Sequence, residues 1–100
     1  MKIGNHNFEG PYTSTNHLAN ASGVYVILCQ NNGNYNTIDV GESGDIKDRI
    51  EHHERGPCWK RNCNSTLSAA VLYTPNMTSD QRRGIESAIR KSFNFPCGLI

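Results

Sequence analysis

The segment HHERGPCWKRNC puts His52, His53, Cys58 and Cys63 within twelve residues. Four soft donors so close together could build a zinc site, which wants tetrahedral nitrogen and sulfur ligands. The Cys-x4-Cys spacing is loose for such a site and Trp59 intervenes. Two loop thiols beside a helix histidine are the simpler account. The same segment carries Arg55, Lys60 and Arg61 around Trp59. Cations there could meet phosphate and the indole could stack on a base, or Trp59 could close the edge of a core.

Some ordered elements must position these groups. At 100 residues, the chain has room for a single domain spanning 1–100 with one core. Residues 1–21 are rich in Asn, Gly, Ser and Thr and read as an irregular arm, leaving 22–95 as the core. Gly23–Cys29, GVYVILC, is β-branched and apolar, which predicts a strand buried on both faces. An Asn-Gly pair follows and signals a hairpin, in a loop that reads as longer than a minimal turn. Thr37–Gly41 predicts the returning strand. Ser43 is the expected cap of a helix starting near Asp45, which Gly56-Pro57 would stop. The stretch from Pro57 to Thr66 reads as a loop, and Leu67–Tyr73 as a third strand. Thr78 or Ser79 would cap a last helix with Ile85, Ile89 and Phe93 on one face, and FNFPCGLI trails as an extended tail. The sum is an α+β fold: a small three-stranded, largely antiparallel sheet flanked by helices.

Composition narrows the partners little. A net charge of +1 neither demands nor excludes nucleic acid. No apolar run approaches the length of a membrane span, so no membrane partner is expected. The N-terminal MKIGNHNFEGPY lacks the apolar stretch of a signal peptide, which predicts a cytoplasmic protein with four free thiols.

Gly23-Val24-Tyr25 on one strand, Asp39-Val40-Gly41 on the next, Arg49 with His53 four residues on, and Glu86 on a late helix together resemble the GIY-YIG nuclease family. The resemblance spans about residues 22–95. It implies a metal-dependent DNA endonuclease that hydrolyses phosphodiester bonds with Mg2+ or Mn2+. Tyr25 would take the place of the family's base, and a phenol with a pKa near 10 needs nearby positive charge for that task. Arg49 would meet the phosphoryl oxygens, which its fork of donors matches. His53 would relay a proton or position water. Glu86 would hold the metal, one carboxylate with water and phosphate oxygens being a usual set for Mg2+. Gly23, Gly41, Ser43, Arg55, Lys60 and Arg61 would line the substrate path. Modest affinity for DNA would call for a partner subunit or a homodimer.

The second motif departs from the pattern: Asp39 stands where the family has tyrosine. A bare carboxylate beside phosphate repels it. Asp39 would therefore be a second metal ligand, or pair with Lys47 or Arg49, or mark an impaired site that binds DNA without cutting it. A zinc-stabilised protein-interaction domain is the alternative from a different class.

Overall fold

The computed structural model describes residues 1–98, so the last two residues of the expected tail lie outside it. The chain runs through β1 (Lys2–Ile3), β2 (His6–Asn7), β3 (Glu9–Tyr12), a 3-10 turn (Thr15–His17), β4 (Gly23–Asn31), β5 (Asn34–Ser43), α1 (Ile46–Glu51), α2 (Gly56–Arg61), β6 (Thr66–Tyr73) and α3 (Ser79–Ser92). Four strands form one antiparallel sheet in the order β3-β6-β4-β5, and β1 pairs with β2 alone. The fold is α+β, as expected, but the main sheet has four strands rather than three. The addition comes from the supposed irregular arm, where β3 pairs Glu9 with Val71 and Tyr12 with Ala69. No helix among the described residues is long and apolar enough to cross a membrane.

Strand β4 is central, and its alternation supplies two cores. Tyr25, Ile27 and Cys29 point to one face, against Leu18, Ile46 and Trp59. Val24, Val26 and Leu28 point to the other, against Ile3, Phe8, Ile89 and Phe95. Helices α1 and α2 thus cover the first face, and α3 covers the second with the N-terminal hairpin.

The β4–β5 turn is tighter than its sequence suggests. Asn31 pairs with Asn34, and Asn32 and Gly33 both take positive φ, 54° and 84°. That is the two-residue turn whose twist suits a hairpin. Further along, Ile27 faces Asp39 but Leu28 faces Thr37, so Ile38 is an extra residue on β5. The bulge changes which way β5 presents its side chains. Ile38 joins the first-face core and Val40 the second, with Asp39 between them.

The helices differ from expectation at both ends of the first. Asp45, not Ser43, caps α1 by accepting from the Asp48 N–H. Helix α1 stops at Glu51, before Gly56-Pro57, and that dipeptide opens α2 instead of ending α1. Proline suits a first helical turn, where its missing N–H has no intrahelical partner. Thr78 caps α3 in a reciprocal box with Gln81.

The four cysteines are not free. Cys29 is bonded to Cys63 and Cys58 to Cys97. The first bridge ties β4 to the end of the α2 region, and the second ties α2 to the C-terminal tail. The tail lies along β5, where the Cys97 N–H donates to the Ile38 carbonyl and the Thr37 hydroxyl donates to the Asn94 carbonyl.

Candidate functional site

The centre of the site is a phenol–imidazole pair. The Tyr25 hydroxyl is 2.6 Å from Nε2 of His53, with Tyr25 1% and His53 8% exposed. Tyr25 reaches this place because Gly41 lies directly across from it on β5. A side chain at Gly41 would collide with the Tyr25 ring, so the missing Cβ makes room for the phenol itself. Gly23 serves the neighbouring strand, since a Cβ there would strike the Leu72 carbonyl of β6. Both glycines, expected along a substrate path, are filled by the protein's own packing.

His53 is not on the helix with Arg49. Helix α1 has ended, and the turn leading to α2 carries the imidazole back over Tyr25. Its other nitrogen, Nδ1, accepts the backbone N–H of Arg55 at 3.0 Å. A neutral imidazole has one donor and one acceptor nitrogen. With Nδ1 accepting, Nε2 carries the proton and donates it to the Tyr25 oxygen. Burial lowers the His53 pKa to about 4, helped by Arg49 and Arg55, so the ring is neutral at pH 7. Burial also raises the Tyr25 pKa to about 12, with Arg49 and Arg55 opposing the rise.

Arg49 is partly exposed and lies 3.6 Å from Glu54. Its charge acts on both Tyr25 and His53, so the three converge. Glu86 comes from α3, the helix on the other face of the sheet, and its side chain is 25% exposed. Its nearest cation is Arg90 at 3.9 Å. Burial raises the pKa of Glu86, Arg90 offsets part of this, and Glu42 adds to it. Arg55 is within electrostatic reach of both Tyr25 and Glu86.

Asp39 is the most heavily bonded side chain in the region and is fully buried. Its Oδ2 accepts from Arg55 Nε at 2.7 Å and from the Trp59 indole N–H at 2.8 Å. Its Oδ1 accepts from Arg90 at 3.0 Å, from Arg55 at 3.4 Å and from the Val40 N–H at 2.8 Å. Burial alone would raise its pKa, but the bonds from Arg55, Trp59 and Arg90 outweigh that and hold it below the ordinary carboxylate range. The expected partners Lys47 and Arg49 are replaced by Arg55 and Arg90. Both oxygens are saturated by protein donors, which leaves no lone pair for the metal-ligand role considered for Asp39.

The remaining candidates scatter. The Ser43 hydroxyl is occupied within its own turn, accepting the Asp45 N–H at 2.9 Å. Lys60 and Arg61 are exposed in the last turn of α2. Trp59 is only 6% exposed and packs 4.5 Å from the His53 ring, so it closes the core and offers no stacking face. The zinc alternative fails on its ligands: Cys58 and Cys63 belong to different disulfides, and no three His, Cys, Asp or Glu side chains cluster as a metal cage among the described residues. Trp59 and Arg90 as partners of Asp39 had no sequence signal, because the three lie 20 and 51 residues apart.

No family model matches the chain, and no match was found among curated proteins or solved structures.

Proposed function

We propose that the chain is a small GIY-YIG-like nuclease that hydrolyses DNA phosphodiesters. The observation that carries this reading is the Tyr25 hydroxyl held by His53 Nε2 with the Arg49 and Arg55 cations beside it. The imidazole donor and the two guanidiniums favour negative charge on the phenol oxygen, against a burial that outweighs them and raises its pKa to about 12. In its ionised form, a minor species at neutral pH, it would take a proton from the attacking water. Arg49, the more exposed of the two cations, would leave its exposed partner Glu54 to grip a phosphate oxygen of the substrate. His53 keeps the Tyr25 oxygen aimed and donates to it throughout.

Glu86 fits a divalent cation. Its carboxylate is half-buried, under-neutralised and repelled by Glu42, which itself is tied to Arg82 at 2.9 Å. One carboxylate with water and phosphate oxygens would hold Mg2+ or Mn2+ there. Such an ion would supply charge stabilisation at the leaving oxygen.

The test is cleavage of plasmid and oligonucleotide DNA with Mg2+ or with EDTA, using the parent protein and Glu86→Gln. The expected result is Mg2+-dependent cutting by the parent and a loss of at least about a hundredfold in the variant. Equal cutting by both proteins, or cutting that survives EDTA, overturns the assignment of Glu86. A second reading, a DNA-binding module without activity, is favoured by one observation: Tyr25 is 1% exposed, which restricts its contact with water. DNA binding without cleavage under every metal condition selects it.

A further inference from the structure

We infer that Asp39 is a positioning residue for the Tyr25–His53 pair: by pinning Arg55 it determines which nitrogen of His53 carries the proton. The inference rests on the proposed site and gives the departure from the second motif a role there.

The path is short: hydrogen bonds at either end, joined through the covalent frame of Arg55. Asp39 Oδ2 accepts Arg55 Nε at 2.7 Å, and Oδ1 accepts the same guanidinium at 3.4 Å. This two-point grip fixes the Arg55 side chain, and the Trp59 N–H, 2.8 Å from Oδ2, fixes α2 four residues later. The turn leading into those anchors brings Nδ1 of His53 to the Arg55 backbone N–H at 3.0 Å. That donor occupies the lone pair of Nδ1, and the proton must sit on Nε2. Nε2 then donates to Tyr25 at 2.6 Å. Without the Arg55 donor, Nδ1 could keep the proton, and Nε2 would accept from the phenol instead. The two tautomers reverse the polarity of the hydrogen bond at the oxygen proposed to act as base.

The group at position 39 has to be an anion. Two guanidiniums and one indole N–H converge on it, and all of them only donate. A phenol has one acceptor oxygen and a proton of its own, and could not receive this set. An amide would turn an NH2 toward one of the donors. The carboxylate also keeps Arg90 on Asp39 and on the carbonyls of Val40 and Cys97. Asp39 thus gathers β5, α2, α3 and the tail at the bulge.

The experiment reads the His53 ring directly by long-range proton–nitrogen NMR on the full disulfide-bonded chain at neutral pH, with cleavage assayed in parallel. The parent is expected to show His53 as the Nε2–H tautomer alone. Asp39→Asn and Arg55→Lys, which lose the two-point grip, are each expected to populate the Nδ1–H form and to lower kcat at least tenfold, with a smaller change in KM. Should Asp39→Asn not fold, Arg55→Lys carries the same test from the other side of the pair. A folded variant of either kind that keeps the parent's Nε2–H tautomer overturns the inference. A parent that cuts no DNA, with variants that still shift the tautomer, overturns the nuclease reading and supports the positioning role.

Discussion

At the scale of the residue, the site depends on two side chains kept neutral by burial. The Tyr25→Phe change removes one oxygen and leaves the ring in the space over Gly41. Stability should fall by about 1 kcal/mol, the net worth of one hydrogen bond, whereas cleavage should fall by about 10²–10⁴ if Tyr25 is the base. Thermal unfolding beside a nuclease assay separates the two effects, and an active Tyr25→Phe protein would remove Tyr25 from the chemistry. His53 makes a separate prediction about acid. Its pKa is about 4 when folded and near 6.5 when exposed. Between those values the unfolded chain holds the extra proton, so stability should climb as pH rises from 4 to 6.5, by up to about 3 kcal/mol. Urea midpoints at pH 4.0 and pH 6.5 (about those two values) measure the gain, and His53→Gln should flatten it. Equal slopes for parent and variant would show that His53 is not the group responsible.

At the scale of the element, glycines in different settings should respond with opposite signs. Gly41→Ala puts a methyl into the Tyr25 ring and should cost about 1–3 kcal/mol, with cleavage reduced as the phenol is displaced. Gly84 lies within α3 with open space where its Cβ would be, so Gly84→Ala should stabilise by about 0.5–1 kcal/mol. Chemical denaturation of both variants checks the pair. Strand β4 was legible because its apolar run is bounded by Ser-Gly and Asn-Gly, and α3 because its isoleucines recur at helical spacing behind a threonine cap. Helix α2 was not, because Gly-Pro can stop one helix or begin the next, and only the turn at His53 decides between them. Strand β3 was hidden because Glu-Gly-Pro-Tyr has poor strand propensity and gains its pairing from β6, some sixty residues on. Tyr25, Arg49 and His53 could be chosen from the sequence. The saturation of Asp39 could not, because it depends on a bulge in β5 and on partners from three elements.

At the scale of the whole molecule, two covalent ties hold the site's walls together. The disulfides close loops with separations of 34 and 39 residues, worth about 3–4 kcal/mol each in the chain-entropy limit. Such bonds persist in oxidising surroundings and open in reducing ones. Treatment with a dithiol should lower the unfolding midpoint and, because Cys58–Cys97 restrains the α2 region beside Asp39, reduce cleavage as well. An unchanged midpoint after complete reduction, verified by thiol titration, would show that the bridges contribute nothing. The same bridge has a consequence for solution behaviour. Strand β5 is ten residues long and lies at the margin of the main sheet. The residues from Phe93 to Cys97 run beside it and take up the Ile38 carbonyl. Unpaired strand margins recruit strands from other molecules. Once the tail is unfastened, as in Cys97→Ser, the bare margin becomes a template for self-association, seen as a concentration-dependent rise in light scattering while the oxidised parent stays dispersed.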